Sequence, residues 1–125
     1  MGSFNSSAVC VLDDDPSVLK AICRLLLSAG WESKAFAQPI EFLRYAETNQ
    51  VPVAVIDMVM PLMNGLQVQS QLRRLSPATR VIMLTSADDP VIRVTAMNAG
   101  AFGFFSKPVR PDEFLVSVAS AYSKL

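Results

Sequence analysis

A short apolar run, a turn and an amphipathic stretch follow one another five times along these 125 residues, and no other feature narrows the possible folds as much. The apolar runs are "AVCVL" (8–12), "WESKAF" (31–36), "VAVI" (53–56), "RVIMLT" (80–85) and "AFGFF" (101–105). Their length predicts strands, and β-branched residues in the first, third and fourth runs point the same way. Between them, Val18, Ile22, Leu25, Leu26 and Ala29 recur at helical spacing, as do Leu66, Val68, Leu72 and Leu75. Asp15-Pro16, Pro39, Asp89-Pro90 and Pro111-Asp112-Glu113 mark helix starts, and Gly30 and Gly100 mark stops. An acid before a proline suits the unpaired N–H groups of a first turn, and glycine accepts the left-handed conformation that ends a helix.

Strands that alternate with helices of this length predict right-handed crossovers and a parallel sheet covered on both faces. The continuous apolar first, third and fourth runs belong in its middle, and the alternating second run at an edge. The expected fold class is therefore α/β, a (βα)5 flavodoxin-like doubly wound five-stranded sheet in the order 2-1-3-4-5. A length of 125 residues with 51% hydrophobic and 18% charged residues suits one globular core. The domain is expected over 8–124, after a disordered leader at 1–7. "MGSFNS" and the final "SKL" fit lipidation and peroxisomal patterns, but those are incompatible destinations, and an expression leader and a helix end account for both. A formal net charge of zero argues against nucleic-acid binding by this domain alone. No apolar run is long enough for a membrane span. With no histidine, a zinc site or a Ser-His-Asp triad lacks material. Cys10 and Cys23 sit inside apolar patterns, as reduced thiols of a cytosolic protein do.

In an open α/β sheet, ligands bind beyond the carboxyl ends of the strands. There the first run ends in Asp13-Asp14-Asp15, the third in Asp57, the fourth in Thr85-Ser86 and the fifth in Ser106-Lys107-Pro108. Taken singly these are bland, since acids after a strand mostly cap helices, and Asp15 is read as such a cap. Together they deliver polar groups from four core strands to one rim. Asp13, Asp14 and Asp57 cannot all stay ionised cheaply when close together, so either one is protonated or a cation lies among them. All-oxygen ligands favour a hard ion, Mg²⁺ or Mn²⁺, with retained waters. An acidic pocket with a divalent ion, Lys107 and the Thr85 hydroxyl is equipped to hold a phosphoryl group. Asp57 is then the candidate nucleophile.

The strings "VLDDD" (11–15), "DMVMPLMNG" (57–65), "MLTS" (83–86) and "AGAFGFFSKP" (99–108) occur in the order and spacing of a known family. From Ala8 to Tyr122 the chain resembles a response-regulator receiver domain of the CheY-like superfamily, most similar to the FixJ group. The resemblance implies that Asp57 is the phosphoacceptor, that Asp14 ligates Mg²⁺ directly and that Asp13 does so through water. The backbone carbonyl of Val59 completes the protein ligands, Lys107 pairs with the phosphoryl oxygens, and the Lys107–Pro108 bond is cis. It further implies a switch in which Thr85 draws its loop towards the phosphoryl group and Phe104 turns inward, repacking the fourth helix, fifth strand and fifth helix. The phosphoryl donor is a sensor histidine kinase or a small molecule such as acetyl phosphate. Such a protein is a self-modifying acceptor more than a turnover enzyme. It works in the bacterial cytoplasm and controls a C-terminal output domain, of helix-turn-helix type in the FixJ group. A phosphorylation-dependent homodimer is a further expectation; a stand-alone receiver is the alternative.

Two departures from the family pattern stand out. Val59 and Ala87 lie where many members carry polar groups that position the water for dephosphorylation, which predicts a long-lived phosphoryl form. Val109 replaces a frequent Phe and bears on packing alone. A haloacid-dehalogenase-type phosphatase is the rival, because Asp13-x-Asp15 is similar to its nucleophile motif. That family needs its lysine before the later acidic pair, and here Asp88-Asp89 precede Lys107. A flavin binder would want a phosphate cradle where three acids stand. Ile92, Ala96, Phe102 and Phe104 are either core or an association face.

Overall fold

A computed structural model of the chain describes residues 8–86 and 89–123. The proposed leader at 1–7, the domain's last residue 124, and Ala87 and Asp88 lie outside the described residues. Ten elements alternate: β1 Val9–Leu12, α1 Pro16–Ser28, β2 Ser33–Phe36, α2 Pro39–Thr48, β3 Val53–Asp57, α3 Gly65–Leu75, β4 Arg80–Thr85, α4 Pro90–Asn98, β5 Gly103–Ser106 and α5 Pro111–Ser123. The strands form one parallel sheet in the order β2-β1-β3-β4-β5, as the alternation predicts.

Local chemistry sets the boundaries. Asp15 accepts from the Ser17 N–H at 2.9 Å and Asp89 from the Val91 N–H at 2.9 Å, each with proline opening the helix. Asn64 and Gln67 form a reciprocal capping box on α3. Gly30 and Gly100 take φ of +90° and +102° directly after α1 and α4, as expected of helix stops.

Two strands start two residues later than their apolar runs. Trp31 and Glu32 precede β2, because the indole stacks on Tyr122 of α5 with centroids 4.6 Å apart. Ala101 precedes β5, because its N–H returns to Ala96 O at 3.1 Å to close the end of α4.

Two cores flank the sheet. One gathers Leu12, Phe42, Ala54, Ile56, Val68, Leu72 and Phe104 under α2, α3 and α4; the other gathers Val11, Leu26, Val55, Phe114 and Val118 under α1 and α5. β1, β3 and β4 supply both cores because successive side chains point to opposite faces. Side chains such as Leu26, Phe42 and Phe114, each 0% exposed, contribute roughly 1.5–3 kcal/mol apiece. Of the four apolar residues that could form core or association face, Ala96 and Phe104 are buried and Ile92 and Phe102 pack against the two cores. They are chiefly core. Val91, Val94 and Met97 are the exposed apolar residues of α4.

Candidate functional site

The carboxyl ends of β1, β3, β4 and β5 share one rim because the parallel register sets them level: Leu12 opposite Ile56, Asp57 opposite Leu84, Thr85 opposite Ser106. Asp57, the last residue of β3, is 3% exposed and Asp13, just after β1, is 1% exposed. Asp14 is exposed. Carboxylate oxygens of all three lie within 4.8 Å of one another.

Lys107 follows β5 and faces these acids. It bridges two of them, with Nζ 2.7 Å from Asp13 Oδ2 and 3.1 Å from Asp57 Oδ1. Its own N–H donates to Thr85 O at 2.8 Å, tying the β5 end to the β4 end, and the Lys107–Pro108 peptide is cis. The Thr85 side chain is buried at the same rim.

Burial pushes the Asp57 carboxyl above the ordinary carboxylate range, and the negative charge of Asp13 pushes the same way. The Lys107 hydrogen bond and charge, and the Val59 N–H at 3.4 Å, oppose the rise without cancelling it. Burial also presses the Lys107 ammonium downward, but its bonds and attraction to Asp13 and Asp57 outweigh that and leave it raised. The ammonium therefore stays charged at neutral pH.

The loop from β3 to α3 is folded tightly over this pocket. Gly65 N–H donates to Met58 O at 2.9 Å, and a Cβ on Gly65 would stand 2.7 Å from Asp57 O. Glycine alone permits that approach. Val59 presents a side chain 56% exposed beside Asp57, so nothing polar flanks the acid from that position. Leu62, 96% exposed, adopts φ of +72° on the same loop.

The donor set fits a small hard cation. Lys107 engages Asp13 and Asp57, each of which keeps further lone pairs, and Asp14 has no ion-pair partner among the described residues. Three carboxylates with water filling the remaining positions is a coordination that Mg²⁺ accepts.

All the residues expected at the rim, Asp13, Asp14, Asp57, Thr85 and Lys107, are thus gathered there, with Val59 on the adjoining loop. Phe104 lies apart from them on β5, buried with its ring towards the α4 side of the sheet. Three contacts were not foreseen. The Arg93 guanidinium lies 4.8 Å from the centre of the Phe104 ring. Gln69 Nε2 and Arg73 Nη1 both donate to Ala99 O, at 3.1 and 3.0 Å. Nothing in the sequence marks Arg93 or Arg73 for these contacts, and Gln69 carries no signal except its place on the apolar face of α3.

A doubly wound domain with a buried acid, two neighbouring carboxylates and a lysine at the carboxyl rim has the arrangement that the receiver resemblance leads one to expect. Residues 9–119 match the response regulator receiver domain family, and the chain belongs to that family. It is 34% identical over 119 residues to the response regulator protein TodT of Pseudomonas putida, covering 95% of this chain and 52% of TodT. It is 36% identical over 103 residues to the tetrathionate response regulatory protein TtrR of Salmonella typhimurium, covering 82% of this chain and 50% of TtrR. The chain thus spans about half the length of these relatives. Among solved structures, a receiver domain from Clostridium thermocellum superposes with a TM-score of 0.88 at 29% identity, covering 94% of this chain and 95% of that one. The phosphatase alternative falls with this membership. No helix among the described residues is long and apolar enough to cross a membrane.

Proposed function

We propose that this domain takes a phosphoryl group onto Asp57 and uses it to switch an output. The observation that carries the reading is the position of Asp57: buried at the end of a central strand, 3.1 Å from the Lys107 ammonium, and clustered with Asp13 and Asp14. An Asp57 carboxylate oxygen attacks phosphorus as the P–N bond of a phosphohistidine, or the P–O bond of acetyl phosphate, breaks. The donor's imidazole or acetate departs with the bonding pair. Lys107 exchanges its carboxylate contacts for a phosphoryl oxygen, and the Thr85 hydroxyl donates to another. Asp14 and Asp57 would hold Mg²⁺ directly, with the Val59 carbonyl, and Asp13 through water. The ion supplies charge that keeps Asp57 ionised and offsets the incoming phosphoryl oxygens.

The partners of this reading are a sensor histidine kinase and an output domain after α5, of helix-turn-helix type if the FixJ likeness holds, in the bacterial cytoplasm. TodT and TtrR, roughly twice as long as this chain, leave room for such a domain in the relatives. Phosphorylation adds about −1.5 to −2 charge and three acceptor oxygens, enough to draw Thr85 and its loop inward. Phe104 is already buried before modification, so the inward Thr85 loop would fix its packing, and the α4-β5-α5 face, as a homodimer surface, reads out the change.

Intact mass after incubation with Mg²⁺ and acetyl phosphate tests the reading. One phosphoryl group is expected on the parent protein and none on Asp57→Asn. Label that survives in Asp57→Asn, or is lost instead with Asp13→Ala alone, would overturn it.

A further inference from the structure

Phe104 is 6% exposed, yet among the described residues β5 is an outer strand with no strand beyond it. Its ring carries no hydroxyl, so no hydrogen bond from the ring fixes its place. One directional contact on the ring comes from α4: the Arg93 guanidinium carbon lies 4.8 Å from the ring centre, within the range of cation–π attraction. The same guanidinium donates from Nη1 to the Phe104 carbonyl at 3.3 Å. One side chain thus holds both the ring and the backbone of the residue that switches.

The helix bearing Arg93 is lightly anchored. Ala96 is the one buried residue of α4. Its carboxyl end is nevertheless pinned, because Gln69 Nε2 and Arg73 Nη1, both from α3, converge on Ala99 O. Gln69 is itself 1% exposed, so this pin is set into the core. The amino end begins at Asp89, four residues after Thr85. Arg93 lies six residues from the pinned carbonyl, about 9 Å along the helix. A helix fixed at one end and joined at the other to the loop beside the phosphoryl site is a lever.

We propose that Arg93 is a latch that holds Phe104 in its inward position, carried on α4 as a lever that pivots at the Ala99 carbonyl. This rests on the proposed function and adds a positioning residue to it. Phosphorylation favours the inward ring, so by reciprocity whatever holds the ring inward favours phosphoryl binding. The latch accounts for an inward Phe104 in the unmodified protein and sets its response by the strength of one cation–ring contact.

The test titrates beryllofluoride, a phosphoryl mimic, into the full chain with Mg²⁺, read from β5 amide NMR shifts, with acetyl phosphate labelling as control. Arg93→Met keeps the alkyl stem and removes the charge. It is expected to weaken beryllofluoride binding about two- to fivefold, the size of a partly exposed cation–π contact, while Asp57 still labels. Arg93→Lys restores much of the loss. In a Phe104→Leu background, Arg93→Met causes no further change, a non-additivity that a general loss of stability would not produce. Unchanged affinity in Arg93→Met, no recovery with Arg93→Lys, or equal losses with and without the ring would each overturn the latch. A parent protein that neither labels nor binds beryllofluoride would instead overturn the proposed function.

Discussion

Asp57 is held where a carboxylate is least comfortable. Burial raises its pKa in the fold, so folding favours the protonated form more than the unfolded chain does. The sign of the consequence follows from linkage. A carboxyl whose folded pKa lies above its unfolded value stabilises the protein below the unfolded value, near 4, and that contribution is lost as pH rises through the folded one. At neutral pH without metal, the ionised Asp57 is therefore a cost to the fold. Asp57→Asn should raise the melting midpoint in EDTA at neutral pH. The difference should vanish as the pH falls below the carboxylate range, and scanning calorimetry against pH checks both parts. The acids and Lys107 were legible in the sequence because each is a polar residue ending an apolar strand. Arg93 was not, because a long exposed side chain on a helix gives no sign of the ring it will cover. Leu62 was not, since its left-handed backbone is imposed by the loop's closure.

The junction of β3 and α3 is where the fold constrains the site most tightly. Gly65→Ala would place a methyl group 2.7 Å from Asp57 O and 2.9 Å from the Met58 Cα, backbone atoms that cannot swing aside. A loss of about 1–3 kcal/mol is expected from such overpacking, visible as a lower urea midpoint, together with weaker Mg²⁺ binding. On the proposed function, the same loop would set the lifetime of the modified form. Val59 is exposed beside Asp57 and cannot orient a water, so Val59→Asn should speed decay of the acyl phosphate severalfold, followed by loss of label over time. An unchanged decay would place control of hydrolysis elsewhere. Element order and caps were readable because proline, Asx residues and glycine act locally. The starts of β2 and β5 were not, because Trp31 answers to Tyr122 and Ala101 to Ala96, partners that become neighbours only after folding.

Across the whole domain, chemistry sits at one end of the sheet and the readout lies along one flank. Phe104 is already buried and has no hydroxyl, so in the proposed switch the signal would run through the packing of its ring. Phe104→Leu or Phe104→Ala should leave Asp57 labelled by acetyl phosphate while uncoupling the output, measured by reporter expression with the domain fused to a transcriptional output. Loss of labelling in these variants would contradict the division between site and switch. Opposite the acidic rim, Trp31 lies just before β2 and stacks on Tyr122 at 18° between ring planes, closing the amino end of the sheet onto the last turns of α5. It is the chain's single tryptophan. Its fluorescence should follow the parting of α5 from the sheet during denaturation and stay dark to Mg²⁺, so an optical titration of the metal will need a dye attached near the other end.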